Sequence, residues 1–151
     1  MTRLYKFARA LACGVFLLAV PLAHAFTEVD AGVFAVLDQK GEPTDRAYRF
    51  FTQAGKWVAE ERKPDASWAP IECKSDCDLR PSTAAELQKI FRDDLAKLDA
   101  PACLQNSAFT VCRYTVRASP PKIPEPFLSY ILIVQSPKGP VVYRLDRIAI
   151  L

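Results

Sequence analysis

Four cysteines constrain the fold of this chain more than any other feature, because cysteines of an exported domain are expected to be joined in pairs. They are Cys73, Cys77, Cys103 and Cys112, and their even number predicts two disulfides. Of the three possible pairings, we favour nearest neighbours, Cys73 with Cys77 and Cys103 with Cys112. The crossed pairings remain open, and they would clamp the loop before the predicted helix to the strand after it.

A four-thiolate metal site is the alternative interpretation of the same cysteines. Three residues separate the first pair and eight separate the second, whereas structural zinc sites use closely spaced pairs at both ends. An oxidising compartment also favours disulfides over thiolates. We therefore expect no metal and no cofactor.

The amino terminus has the order of a secretory signal peptide. Arg3, Lys6 and Arg9 precede an apolar run over 10–20, and Ala23-His24-Ala25 supplies small residues for cleavage. A membrane-spanning helix needs about 20 apolar residues, so this run is too short for a stable anchor. We predict that residues 1–25, with the fifth cysteine, are removed and that residues 26–151 form one domain, periplasmic or secreted.

Cleavage changes the charge and removes the one histidine. Without Arg3, Lys6 and Arg9, the 20 Lys and Arg fall to 17, equal to the 17 Asp and Glu. A neutral domain lacks the basic footprint of most nucleic-acid-binding proteins, so we expect no nucleic acid as a partner. Without His24 the domain has no imidazole for a Ser-His-Asp or Cys-His mechanism or for metal ligation.

Apolar runs separated by turn residues predict several strands. The segments are 32–37, 46–54, 57–62, 67–72, 108–117, 127–135 and 141–151. The segment 46–54 also has helical spacing, but its β-forming residues favour a strand. The run 127–135 is the most apolar, and it is expected to be the best-buried strand.

One amphipathic helix is predicted over 83–98. Thr83 and Glu86 fit a capping box, and an apolar stripe of one face follows: Leu87, Ile90, Phe91, Leu95 and Leu98. Together these patterns predict an α+β fold, in which an antiparallel sheet is packed by at least one helix and stabilised by disulfides.

Four residues are candidates for a binding role, because Arg and Trp are enriched at interface hot spots, the few residues that contribute most of the binding energy. Arg113 and Arg117 share one face of a predicted strand, Arg144 lies on the last strand, and Trp57 lies on an earlier one. We expect a non-enzymatic domain that binds another protein of the cell envelope, such as an inhibitor or a toxin-immunity protein.

Two other functions are open. A hydrolase of cell-wall or glycan substrates would need two facing carboxylates, for which Asp76 and Asp78 are the candidates. A structural component of an envelope assembly would need a large apolar surface patch.

Overall fold

The structure, a computed structural model, describes residues 25–151, so the predicted signal peptide lies outside the described part except for Ala25. It contains nine strands, one α-helix and two 3-10 helices. The strands are β1 (Gly32–Leu37), β2 (Pro43–Gln53), β3 (Lys56–Arg62), β4 (Trp68–Pro70), β5 (Arg80–Pro81), β6 (Leu98–Gln105), β7 (Phe109–Val116), β8 (Phe127–Val134) and β9 (Val141–Ile150). The helix is α1 (Ala84–Phe91), and the 3-10 helices are Glu28–Asp30 and Arg92–Lys97.

All nine strands belong to one antiparallel sheet in the order β4-β3-β2-β1-β9-β8-β7-β6-β5. Strands β1 to β4 form one meander, in which each strand pairs with the next. Strands β5 to β9 form a second meander, and its last strand, β9, pairs with the remaining side of β1. The two meanders meet at the β1–β9 ladder, where Phe34 pairs with Arg147 and Val36 with Leu145.

The sheet is curled into a half-barrel. Three strands lie between β2 and β7, so in a flat sheet they would be about 19 Å apart. Nevertheless, the rings of Phe50 on β2 and Phe109 on β7 have centroids only 6.3 Å apart. The concave face therefore closes on itself, and it buries Phe34, Leu104 and Leu132 completely.

The expected α+β class is wrong, because the fold is mainly β with only one short helix. The start of the helix agrees with the sequence: Thr83 and Glu86 form the capping box. The α-helix ends at Phe91, since Arg92 has a φ of 48°, which breaks the helical backbone. A 3-10 segment replaces the second half of the predicted helix, and Leu98 already belongs to a strand.

That strand, β6, has no counterpart among the predictions. Pro101 lacks an amide hydrogen and favours an irregular segment. The structure accommodates Pro101 with a register shift between Asp99 and Ala102, where Ala100 has a φ of 48°. The expected strand over 46–54 is confirmed as part of β2.

The two disulfides join the favoured nearest neighbours. Cys103 and Cys112 are directly opposed on β6 and β7, with Cα atoms 4.1 Å apart, and Leu87 of α1 packs against them on the convex face. The Cys73–Cys77 bridge closes a small loop with Cα atoms 5.6 Å apart. This loop docks on the β6–β7 turn, where the Ser107 amide donates to the Asp76 carbonyl. The disulfides indicate an oxidising location, extracellular or periplasmic.

Candidate functional site

The exposed apolar side chains are concentrated on the β8–β9 hairpin. Strand β8 is not the best-buried strand, because Phe127 and Leu128 are about half exposed, whereas β7 buries its first four residues. Of the eight large apolar side chains that are exposed in the described part, seven belong to these two strands or the residue that follows: Phe127, Leu128, Val141, Val142, Ile148, Ile150 and Leu151. We call this set the apolar hairpin surface.

Strands β8 and β9 separate at one end of this surface. Their ladder runs from Val134–Val141 to Tyr130–Leu145, and among the described residues it has no pair beyond that point. Residues 127–129 of β8 continue to pair with β7 alone. Asp146, Arg147, Ala149 and Ile150 of β9 pair with β1 alone, and a register shift between Val33 and Phe34 leaves Ile148 as the extra residue of a bulge. A bulge of this kind bends its strand, and this one lies in the stretch where β9 has left β8.

The gap between the strands is a groove of about 720 Å³. Its apolar lining comes from Leu128 on one side and from Ile148 and Ile150 on the other, with Asp146 and Arg147 among them. This volume lies within the range of ligand-sized sites, about 300–1,000 Å³. The groove is therefore an open, mainly apolar site with two charged side chains.

A buried polar cluster supports the inner side of the groove. Asp30 is only 2% exposed, and it forms an ion pair with Arg113, with Nη1 and Oδ1 3.3 Å apart. The Tyr130 hydroxyl donates to the same carboxylate oxygen over 3.4 Å, and the Thr27 amide donates to the other oxygen over 2.9 Å. Burial raises the pKa of Tyr130, so its hydroxyl stays protonated and remains a donor at neutral pH.

Arg147 connects this cluster to the groove. Its Nη1 donates to the Tyr130 hydroxyl over 3.3 Å and to the Val29 carbonyl over 2.8 Å. Its side chain lies against Gly32, where an added Cβ would be 3.2 Å from Cδ of Arg147 and 2.7 Å from the Ala149 carbonyl oxygen. Within residues 25–151 no carboxylate forms an ion pair with Arg147, in contrast to Arg113.

The four candidate binding residues from the sequence do not form one surface. Arg113 belongs to the buried cluster, and Trp57 packs edge-on against Phe26 at the core, with ring centroids 5.3 Å apart. Arg117 is exposed beside Asp99, at 3.7 Å. Arg144 is also exposed, and it donates to the Asp38 carbonyl over 3.3 Å.

Sequence reasoning did not select Arg147, Leu128, Ile148 or Ile150. One signal for them is present in the sequence. The chain ends with Ile148-Ala149-Ile150-Leu151, an apolar run without the alternation of a strand that has one wet face. A continuous apolar run at the end of a strand indicates either burial on both faces or contact with a partner.

The candidate carboxylates of a hydrolase lie on open surface. Asp76 and Asp78 line a pocket of about 420 Å³ together with Arg80. The Asp78 side chain is 94% exposed, and Lys56 is 3.9 Å from it. A glycosidase flanks the scissile bond with two carboxylates in a cleft. Within the described residues, no group of three or more His, Cys, Asp or Glu side chains is arranged to hold a metal ion.

The chain contains one Ser-x-x-Lys sequence, Ser119-Pro120-Pro121-Lys122. A serine nucleophile needs the lysine amine within hydrogen-bond reach. Here both residues are exposed in a turn, where the Lys122 amide donates to the Ser119 carbonyl over 3.1 Å. The side chains of this turn form no hydrogen bond with each other in the described structure, so the turn does not assemble a catalytic pair.

A second polar opening lies at the other end of the concave face. Arg46 stacks over the ring of Tyr143 at 4.8 Å from its centroid, and it donates to the Tyr48 hydroxyl over 2.9 Å. Hydrogen bonding to Tyr143 raises the pKa of Arg46, which therefore stays charged. The opening, about 230 Å³, also includes Glu61. Glu61 pairs with Lys63, and Arg46 is held by the two tyrosines, so these charges already have partners within the chain.

Comparison with known proteins gives no assignment: no protein-family model, no curated protein and no solved structure matches this chain. Within residues 25–151, none of the helices has the length and apolar character required to cross a bilayer.

Proposed function

We propose that this protein is exported by a cleaved signal peptide and acts, without catalysis, by binding another protein of the cell envelope. The two disulfides support an oxidising compartment. Within that compartment the proposed class is an inhibitor of an envelope enzyme or an immunity protein against a delivered toxin. Both act by occupying a surface of their target, so neither needs catalytic residues.

The observation that carries this proposal is the apolar hairpin surface. Single exposed apolar side chains are common on soluble proteins, whereas a contiguous patch marks an interaction site. Seven of the eight exposed large apolar side chains of the described chain lie on β8, on β9 or on the residue that follows. Of these, Leu128, Ile148 and Ile150 line one groove and so form a continuous patch. A partner that covers Leu128, Ile148 and Ile150 would remove from water three apolar side chains that are each more than half exposed.

The protein partner is tested with two matched lysine variants. Ile148→Lys places a charge in the apolar hairpin surface, and Ala85→Lys places the same charge on an exposed position of α1. The wild-type protein is used to capture a stoichiometric partner from an envelope extract, and the affinity of the purified pair is then measured by titration calorimetry. A central interface residue costs 1.4 kcal/mol or more, so we expect Ile148→Lys to weaken binding at least tenfold.

The control Ala85→Lys should change the affinity less than twofold. The proposal is wrong if no stoichiometric partner is captured, or if both variants bind as well as the wild type.

The same surface favours a second candidate, a structural component of an envelope assembly. Such a component would use the apolar hairpin surface permanently, as obligate interfaces do. Sedimentation velocity on detergent-free envelope extracts separates the two candidates. A structural component sediments only in a large complex, whereas an inhibitor or immunity protein is also found free.

A further inference from the structure

The geometry points to an extended segment of the partner as the occupant of the groove, inserted as an additional strand between β8 and β9. This inference rests on the proposed function and specifies how the partner is held. Recognition by strand addition uses backbone hydrogen bonds for affinity and alternate side chains for specificity.

Both sides of the groove carry unpaired strand backbone. In an antiparallel sheet, successive residues of a central strand direct their N–H and C=O groups to alternate neighbours. Residues 127–129 of β8 pair only with β7, and Asp146, Arg147, Ala149 and Ile150 of β9 pair only with β1, with Ile148 as the extra residue of a bulge. On either side of that bulge, alternate residues direct their backbone groups into the groove. An extended chain between the strands would pair with both edges.

The groove lies within the sheet, away from its outer edges. The outer edges are short: β4 has three residues and β5 has two. Short edge strands protect a sheet against pairing with other chains. The divergence of β8 and β9 differs from the outer edges because it presents two strand edges that face each other, residues 127–129 and residues 146–150, beside the apolar hairpin surface.

The charge of the groove also favours an inserted segment. Arg147 lines the groove without a carboxylate partner among the described residues, and both hydrogen bonds recorded for its guanidinium use Nη1. Of the nearby carboxylates, the buried Asp30 is paired with Arg113, and Asp146, which also lines the groove, precedes Arg147 on the strand and so projects from the opposite face. A carboxylate on the inserted segment, with apolar residues on either side, complements both Arg147 and the apolar walls. An acidic residue in an apolar strand is the expected recognition element.

The experiment uses a displayed library of nine-residue peptides selected on the full-length exported protein. We expect the selected peptides to share apolar residues flanking one Asp or Glu. Arg147→Gln should weaken their binding at least tenfold, and Arg147→Lys should restore part of it. Circular dichroism and thermal melting of each variant confirm that it is folded.

The backbone is tested with N-methylated copies of the tightest peptide. A strand paired on both sides uses every central N–H, so one central N-methyl group should weaken binding at least tenfold. A methyl group on the terminal residue is the matched control and should leave binding unchanged. Hydrogen exchange at residues 127–129 and 146–150 should slow when the unmodified peptide binds.

Three results would overturn the inference. Equal binding of the centrally methylated peptide would mean that only side chains dock, which leaves the proposed function intact. Failure to select any peptide would exclude a linear segment as the occupant of the groove. The calorimetric measurement of partner binding would be unaffected by that result. A dimer in sedimentation velocity, with the same amides slowed in the absence of peptide, would assign the groove to a second copy of this chain.

Discussion

Replacement of Asp30 tests whether the buried ion pair holds the amino-terminal segment on the half-barrel. In Asp30→Asn the shape of the side chain is kept, but Arg113 loses its counter-charge in a buried site. Breaking a buried pair by removing one partner costs about 3–5 kcal/mol. Because the Arg113 side chain is 18% exposed, water reaches it, and we expect the lower end, about 3 kcal/mol. For a domain of this size, that loss lowers Tm by about 10 °C.

The assay is urea unfolding at neutral pH, followed by tryptophan fluorescence, because Trp57 packs against Phe26 near this segment. Asp99→Asn is the matched control. It removes the same charge from an exposed pair, in which Asp99 is 3.7 Å from Arg117, and it should cost less than about 0.5 kcal/mol. The double variant Asp30→Asn/Arg113→Met should be more stable than Asp30→Asn alone, since no unpaired charge remains.

The reasoning is refuted if Asp30→Asn is no less stable than Asp99→Asn. It is also refuted if the double variant loses the sum of the two single losses, because the two side chains would then act independently.

Three further predictions concern other parts of the fold. Gly32→Ala should destabilise the protein by about 1–3 kcal/mol in urea unfolding, because its Cβ would meet the Ala149 carbonyl oxygen at 2.7 Å; full wild-type stability would contradict this close approach. Replacing Cys103 and Cys112 together by alanine should cost about 3 kcal/mol, measured in the same way, and a loss below about 1 kcal/mol would show that the bridge adds little to the β6–β7 ladder. The hydrogen bond from Arg80 lowers the pKa of Glu86, so the contribution of this carboxylate to stability is complete above the ordinary value of 4.5 and is lost as the pH falls through the lower folded-state pKa. Urea unfolding of the wild type and Glu86→Gln should therefore show different stabilities at pH 6 that converge in acid. A difference that stays constant with pH would rule out this contribution.

Local signals in the sequence predicted most of the strands and the start of the helix. The capping box needs only Thr83 and Glu86, which are three residues apart, so a linear pattern is sufficient to find it. The end of α1 depends on the left-handed backbone of Arg92, which no side chain in the sequence requires. Strand β6 was missed because Pro101 normally interrupts pairing, and the irregular register that tolerates it is a tertiary feature.

The site was less predictable than the fold, because it depends on where two strands part. Apolar character placed β8 in the interior, but the loss of its β9 neighbour at residues 127–129 leaves Phe127 and Leu128 in water. Arg147 looks like any strand arginine until Gly32, two residues before its ladder partner Phe34 on β1, gives its side chain room beside Tyr130. That room depends on the pairing of residues more than a hundred positions apart.

The meeting of β1 and β9 at the middle of the sheet also governs when the chain can fold. The concave surface of β1 and β2, with Phe34 and Phe50, is covered only after residues 141–150 have arrived. Pairing over so long a separation is slow, because the loop must close before the contacts form. A nascent chain that lacks β9 therefore has two unconnected pieces of sheet, β1–β4 and β5–β8, and cannot complete the half-barrel until its last strand is made. Under the export proposed above, such a delay would keep the polypeptide unfolded until it has crossed the membrane.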